Sequence, residues 1–204
     1  MNSIAFSPNG ITLAAAGENG KTYLWNVAAR TPSGTLGPDS EAVTTVAFGQ
    51  SPQGAIVVTG DNDGNISVWN AANRSPADSF YVPSYNQGID SVAVSPDGSK
   101  LAAADINGSI FVFDWQTATA SLTPTFTNPD ESPVNSVAFS PNGKTLAAAD
   151  LNGRIFLWNV AAGTRTATFT DPRSTGVSSV AFGSDGATLA TSDYNGRIYV
   201  WHIS

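Results

Sequence analysis

Residues 136–158 read SVAFSPNGKTLAAADLNGRIFLW, and this stretch decides the fold. Its first four residues alternate like a short strand, and the next four, SPNG, have the composition of a turn. The remainder is two apolar runs on either side of Asn152-Gly153. Because Asn and Gly tolerate positive φ angles, this pair between apolar runs predicts a tight two-residue hairpin turn.

The same unit occurs five times along the chain, and each copy has one glycine at the tight turn. These turn glycines are Gly20, Gly64, Gly108, Gly153 and Gly196. Successive units are therefore 44, 44, 45 and 43 residues apart. A period of about 40–45 residues that contains several short strands is typical of a propeller blade. The pattern predicts an all-β fold, a β-propeller of five repeats.

We label the strands of each unit a, b, c and d, from the hub to the rim. A d strand is predicted between units at residues 34–36, 79–82, 122–126 and 165–170. The five blades of a single domain are expected at about residues 1–37, 43–83, 89–127, 134–170 and 177–204. The last blade lacks its outer strand, so the c strand from Arg197 to Ile203 is expected to be an open edge.

Two residue types indicate how the blades pack. The b strands are rich in alanine, which is a poor strand former, so their composition predicts close stacking of neighbouring blades. An aromatic residue ends each c strand and is expected to fill the space between blades. These residues are Trp25, Trp69, Phe113, Trp158 and Trp201.

Composition argues against several function classes. The formal net charge is −7 with only nine Lys and Arg residues, so we expect no nucleic-acid partner. No apolar run approaches the ~18 residues of a membrane span, so we expect no membrane partner. The N-terminal residues do not resemble a signal peptide, and the expected location is cytoplasmic. The absence of cysteine excludes disulfides and thiolate metal sites without deciding the compartment.

The sequence contains few of the histidine and cysteine residues that often act as catalytic bases and nucleophiles. His202 is the only histidine, and without cysteine a nucleophile–base pair is hard to assemble. No zinc spacing or phosphate-binding glycine loop occurs, so no metal and no cofactor are expected. The sequence DNDGN at residues 61–65 resembles part of a calcium loop, but it lacks the downstream acidic residue and is also an ordinary hairpin turn.

An aspartate precedes the tight turn in four of the five units. These residues are Asp61, Asp105, Asp150 and Asp193, and Gly17 takes this place in the first unit. An aspartate side chain can accept hydrogen bonds from the backbone N–H groups of a turn. Their identical positions therefore indicate a structural role for these carboxylates.

The pattern SVAFSPxG…LAxxDxNGxIxxW, repeated over essentially the whole chain, resembles the WD-repeat β-propeller family, most of all its alanine-rich bacterial members. The chain departs from the family in lacking the Gly-His dipeptide ahead of strand a. The family's hydrogen-bond relay through that histidine cannot form in the usual way. Bacterial members are often one part of a larger regulatory chain, for example after a Ser/Thr kinase domain, and the abrupt N-terminus fits excision from such a chain.

The resemblance also implies a binding face. In this family the b–c and d–a loops share one face near the central channel, which often binds partners. The candidate partner-binding residues on the b–c loops are Glu18, Asn62, Ile106, Leu151 and Tyr194. The last three are apolar or aromatic and occupy adjacent units, which predicts a contact site. Isolated apolar surface residues are common, so each side chain could instead fold over its own hairpin.

The leading hypothesis is a non-enzymatic interaction scaffold that binds a protein or peptide. A second hypothesis is a structural, self-assembling propeller unit or an engineered fragment, with homo-oligomers formed through the open edge strand. A less favoured third is a glycan-acting enzyme that uses channel carboxylates. Five units could close as a small ring or form an open arc. Because the family commonly has seven blades, we expect the incomplete or assembled form.

Overall fold

In a computed structural model the chain forms five antiparallel sheets. The structure describes residues 1–38, 41–82, 88–115, 126–129, 131–171 and 173–203. The first sheet contains β1 (Ser3–Phe6), β2 (Thr12–Ala16), β3 (Thr22–Asn26) and β4 (Thr31–Leu36). The second contains β5 (Val43–Ser51), β6 (Gly54–Asp61), β7 (Asn65–Asn70) and β8 (Pro76–Tyr81).

The remaining three sheets follow in chain order. The third contains β9 (Ile89–Val94), β10 (Lys100–Asp105), β11 (Ser109–Asp114) and β12 (Phe126–Thr127). The fourth contains β13 (Val134–Phe139), β14 (Thr145–Asp150), β15 (Arg154–Asn159) and β16 (Thr164–Thr170). The fifth contains β17 (Val177–Phe182), β18 (Thr188–Asp193) and β19 (Ile198–His202). No helix occurs in the described ranges, so they contain no helix that could cross a membrane.

Each sheet orders its strands as they follow in the chain, a next to b, b next to c and c next to d. Over the described residues, the prediction of an all-β fold with five blades, the last lacking its outer strand, is confirmed. In the described part of the chain, β19 pairs only with β18 and is the edge of its sheet.

The d strands differ most from the prediction. The first begins at Thr31 rather than residue 34, and the second spans Pro76–Tyr81 rather than 79–82. Both contain residues with little strand propensity, and pairing with the c strand overrides that preference. Most of the third predicted d strand, residues 122–125, lies outside the described residues, as do 39–40, 83–84, 130 and 172 of the connections and residue 204 of the last blade.

The a strands lie side by side at the hub and are joined by a repeated hydrogen bond. The Val46 N–H donates to Ser3 Oγ at 3.3 Å, and the Val92 N–H donates to Thr45 Oγ1 at 3.2 Å. The Val137 and Val180 N–H groups donate to the hydroxyls of Ser91 and Ser136, both at 3.1 Å. One hydroxyl in each of the first four a strands thus holds the next blade in register.

Among the described residues the hydrophobic core forms four clusters, one between each pair of consecutive blades. The alanine-rich strands β10 and β14 lie in these junctions with their alanines buried, so the neighbouring blades approach closely. In each of the later junctions an aromatic ring of a d strand contacts the aromatic residue that ends the next blade's c strand. An example is Phe126, whose ring centroid lies 4.8 Å from that of Trp158.

No core cluster of the described residues joins the fifth blade to the first. Trp25 was predicted to fill the space between blades, but it is 39% exposed, so this prediction is wrong for the first blade. The physical reason is that no blade in the described part of the chain covers the side of β3 from which Trp25 projects. Its counterparts Trp69, Phe113 and Trp158 are buried.

The hairpin turns also differ from the prediction. The Gly153 N–H donates to the Asp150 carbonyl oxygen at 3.3 Å, so the turn begins at Asp150 and leaves a three-residue loop. Gly153 has φ +84°, whereas Asn152 does not have positive φ. The prediction of a two-residue Asn-Gly turn is therefore wrong, and the loop resembles a type I turn followed by a glycine in the left-handed region.

Replacing Gly153 by Val should lower the free energy of unfolding by more than about 1 kcal/mol, because a β-branched residue resists positive φ. A Cβ atom at Gly153 would also lie 3.2 Å from Ser174 Cβ. Gly196→Val is the control, since Gly196 has φ +77° and a Cβ there meets no atom within 4 Å. Denaturant unfolding should rank Gly153→Val as the more costly change. An unchanged midpoint for Gly153→Val would contradict this description of the turn.

Candidate functional site

The b–c turns and the d–a connections meet at one end of the blades, which we call the turn face. In the second, fourth and fifth blades, the second residue of the turn donates its N–H to the backbone carbonyl oxygen of the residue just before that blade's own a strand. Asn62 donates to the Ala42 carbonyl oxygen at 3.1 Å, and Leu151 donates to that of Pro133 at 2.9 Å. Tyr194 donates to the carbonyl oxygen of Gly176 at 3.1 Å. These bonds fix the position of each b–c turn relative to the adjoining d–a connection.

Leu151 and Tyr194 belong to neighbouring blades and both approach Gly176. A Cβ atom on Gly176 would lie 2.6 Å from the Leu151 carbonyl oxygen and 3.0 Å from Tyr194 Cδ2. It would also lie 3.1 Å from Leu151 Cδ1. The glycine is therefore required for the two loops to come this close, and the two side chains flank one small residue.

Ile106 occupies the same loop position on the third blade. By the repeat, Pro133 corresponds to Gly176, because its carbonyl oxygen accepts the Leu151 N–H as that of Gly176 accepts the Tyr194 N–H. The exposed fractions of Ile106, Leu151 and Tyr194 are 39%, 41% and 57%, so these side chains are not part of the core. We call these three residues, which occupy one loop position on three consecutive blades, the apolar stripe. Glu18 and Asn62 are also exposed, on the first two blades, and they extend the same row with polar groups.

The four turn aspartates are buried and bonded within their own turns. One carboxylate oxygen of each accepts the N–H groups of the residues two and four positions later. For Asp150 these donors are Asn152 at 3.0 Å and Arg154 at 2.7 Å. The same pair of bonds occurs at Asp61, Asp105 and Asp193. The carboxylates hold the turns and do not present themselves to solvent.

A second polar contact links the third and fourth blades. Asn128 is fully buried, and its Nδ2 donates to Asp150 Oδ2 at 3.0 Å and to the Ser132 carbonyl oxygen at 2.9 Å. Asp171 is the counterpart of Asn128 one blade later. The Asn128 N–H donates to the Gly108 carbonyl oxygen, and the Asp171 N–H donates to that of Gly153, both at 2.9 Å. The Oδ2 atoms of Asp171 and Asp193 are both buried and have no hydrogen-bond partner among the described residues.

Asp90 is an ionisable group at the hub that the sequence reasoning missed. Burial, and secondarily the charge of Asp105, raise the pKa of Asp90 from its ordinary value of 3.8 to about 6. Its counterparts Asn2 and Asn135 donate side-chain N–H groups to the next blade's first a-strand carbonyl, at 3.0 and 2.8 Å. A protonated carboxyl can donate in the same way, whereas a carboxylate cannot. The available signal was a lone acidic residue at a position that is otherwise Asn, Thr or Ser.

Residues suited to catalysis or metal binding do not come together in the part that the structure describes. No group of three or more His, Cys, Asp or Glu side chains there could hold a metal ion. At the calcium-like sequence, both carboxylate oxygens of Asp61 accept hydrogen bonds from Asn65. His202 is exposed on β19.

The family model described as WD domain, G-beta repeat matches five segments of the chain. The matched residues are 1–26, 30–70, 79–114, 120–159 and 163–202. Each segment takes in the a, b and c strands of one blade. No curated protein matches the chain.

Replacing Asp171 by Asn should raise the free energy of unfolding by about 1 kcal/mol, because an amide can donate to Asp193 as Asn128 donates to Asp150. The change keeps the oxygen that accepts the Arg173 N–H at 3.0 Å. In a chain of this size, the melting temperature should rise by roughly 2–4 °C. The reverse change, Asn128→Asp, is the matched control and should destabilise. A lower melting temperature for Asp171→Asn would contradict the proposed equivalence.

The free energy of unfolding should fall between about pH 4 and pH 6, because the folded state keeps Asp90 protonated when the unfolded chain has released that proton. Asp90→Asn should remove this contribution and stabilise the protein at pH 7. The expected gain is only about 1 kcal/mol, because solvent reaches part of the Asp90 carboxyl and screens its charge.

Asp97 is the control, because its pKa is shifted in the direction opposite to that of Asp90. Hydrogen bonds from the Ser95 hydroxyl and from Ser99 hold the pKa of Asp97 below its ordinary value, so its contribution is lost as pH falls. Titration of the side-chain carboxyl carbons by NMR should place Asp90 well above Asp97. An Asp90 midpoint near 4 would contradict the description of the hub.

Proposed function

Because the chain belongs to the WD40-repeat family, we propose that it is a non-enzymatic interaction scaffold that binds a protein or peptide on its turn face. WD repeats generally mediate protein–protein interaction, and proteins built from them are generally non-enzymatic. The fold alone does not choose a partner, so the proposal depends on the residues of the turn face.

The observation that carries the proposal is the apolar stripe of Ile106, Leu151 and Tyr194. Three large side chains at the same loop position on consecutive blades remain substantially exposed although the loops themselves are held by backbone hydrogen bonds. A rigid row of apolar groups offers anchoring contacts at little cost in conformational entropy. Tyrosine in particular is enriched among residues that contribute most to binding.

Charge supports a partner with both apolar and ionic groups. On the turn face, exposed Glu18, Glu41 and Asp63 outnumber exposed Lys21 on the first two blades, whereas exposed Arg173 and Arg197 outnumber exposed Glu131 on the last two. A bound segment whose apolar side chains contact the stripe would meet opposite charges at its two ends. Such complementarity orients a partner and speeds association more than it adds affinity.

The state of the acidic residues supports the non-enzymatic part of the proposal. A glycan-acting site would need two carboxyl groups that both reach the substrate. Asp61, Asp105, Asp150 and Asp193 are instead buried and bonded to turn N–H groups. From the alanine-rich b strands we also infer that the chain is of the bacterial, alanine-rich type.

The test uses peptides selected from a displayed random library on the immobilised chain. We expect the selected peptides to carry apolar anchors. Replacing Ile106, Leu151 and Tyr194 together by Ser should weaken their binding by about 10-fold or more while the circular dichroism spectrum and melting temperature stay nearly unchanged. Fluorescence anisotropy of a labelled peptide measures the dissociation constant.

The matched control replaces Ile11 and Val27 by Ser. Both are exposed apolar residues at the opposite end of the first blade, where the Val27 N–H donates to the Ile11 carbonyl oxygen. This control should leave binding unchanged. Peptides that lose affinity for the control but not for the triple variant would place the site away from the turn face. Unfolding of the triple variant would instead show that the stripe is part of the core.

A further inference from the structure

The first blade exposes the side on which every other blade packs against its predecessor. Ile4 and Phe6 on β1 are 64% and 58% exposed. The counterparts of Ile4 are all buried in the junction with the preceding blade, and they are Val46, Val92, Val137 and Val180. The counterparts of Phe6 pack against the same junctions, and they are Phe48, Val94, Phe139 and Phe182.

The fifth blade exposes the opposite side, on which every other blade packs against its successor. Ile198 and Val200 on β19 are 76% and 61% exposed. Ile198 corresponds to Ile66, Ile110 and Ile155, which are fully buried between blades. The counterparts of Val200 also lie in the junctions, and they are Leu24, Val68, Val112 and Leu157.

These two exposed sides are the halves of one interface that the chain already forms four times. In the junction between the fourth and fifth blades, Ile155 and Leu157 pack in one cluster with Val180 and Phe182. If the fifth blade met a first blade in this way, Ile198 and Val200 would take the places of Ile155 and Leu157. Ile4 and Phe6 would take the places of Val180 and Phe182. The methylene lost from Leu to Val is regained from Val to Ile, so the packed volume is conserved.

The terminal blades also carry the two groups that form the hydroxyl-to-N–H hydrogen bond of the internal junctions. In each internal junction a hydroxyl of one a strand accepts the N–H of the next, as Ser136 Oγ accepts from Val180 at 3.1 Å. The corresponding pair is Ser179, which is exposed, and the N–H of Ile4. The hydroxyl that holds consecutive blades in register is therefore present on the fifth blade.

We propose that a second copy of this chain covers these sides, the fifth blade of one copy packing on the first blade of the next as consecutive blades do within the chain. Continuity with the internal junctions selects this occupant, because the chain itself carries both complementary halves. The contact is head-to-tail, so each copy keeps one free half, and the assembly continues unless its rotation closes a ring. The proposal is independent of the turn face.

This interface differs from pairing of two copies through the edge of β19. Edge pairing would use the backbone of β19 in both partners and would not involve the first blade. In the head-to-tail contact the first blade is essential, and the rim aromatic that covers Trp158 and Trp201 in the internal junctions has no counterpart in the described residues of the fifth blade. Trp25 is therefore expected to stay partly open after assembly.

Two substitutions on exposed side chains separate these arrangements. Phe6→Lys blocks the first blade, and Ile198→Lys blocks the fifth, because each would bury an unpaired charge in the contact. Tyr81→Lys is the matched control, since Tyr81 is 51% exposed on the rim strand of the second blade. All three positions are exposed in the single chain, so circular dichroism should show an intact fold.

Sedimentation velocity of the wild-type chain should give a mass that rises with concentration between about 1 and about 200 µM. Each blocking variant alone should associate about 100-fold or more weakly and remain at 21.0 kDa over this range. An equimolar mixture of the two variants should form a dimer and nothing larger, because it contains one intact pair of halves. The control should behave as the wild type does.

Three results would overturn the proposal. The first is a wild-type chain that stays monomeric over the whole range, which would mean that another occupant covers these sides. The second is a Phe6→Lys variant that still dimerises by itself, as edge pairing of β19 requires. The third is a mixture that shows no dimer. If either lysine variant does not fold, Ile4→Lys and Val200→Lys form the alternative pair with the same expected outcomes.

Discussion

The structure depends on the packing of one blade against the next. A twisted four-stranded sheet of this length has two apolar sides and cannot bury either by itself. In the central blades one set of side chains, such as Phe156 and Trp158, packs on the preceding blade, and the alternate set, such as Ile155 and Leu157, packs on the next. Alanine on the b strands allows this approach. In the part of the chain that the structure describes, every inner blade thus packs on two neighbours and each terminal blade on one.

The turn aspartates convert that stack of blades into a defined surface. Because each carboxylate satisfies two N–H groups of its turn, the turn is held without the side chain of the residue that follows the aspartate. The residue after the aspartate is therefore free to vary, and it is Ile106, Leu151 or Tyr194 on three consecutive blades. The same carboxylates cannot serve as solvent-exposed acids. The buried aspartates and the exposed residues that follow them on the turn face therefore result from one structural device.

The parts of the fold that sequence predicts well are those set by short-range chemistry. The five glycine-marked turns and the alternating strands are local, so the blade count and the strand order could be read directly. The turn type could not, because Asn152-Gly153 has the composition of a two-residue turn and only the hydrogen bonds of Asp150 shift its start. The d strands were placed less well, since segments such as Pro76–Tyr81 take their conformation from the neighbouring c strand. The candidate residues Ile106, Leu151 and Tyr194 could be named from their loop position, but their exposure could not.

The sequence by itself determined the repeat, the all-β class and the number of blades, because each depends on residues close together in the chain. Only the tertiary structure decided which side of each blade is covered, since burial depends on what stands next to a residue in space. Trp25 and Trp158 occupy the same place in the repeat, yet one is partly exposed and the other buried. Ile198 and Ile155 differ in the same way. The neighbour of a blade, and not the blade's own sequence, makes that difference.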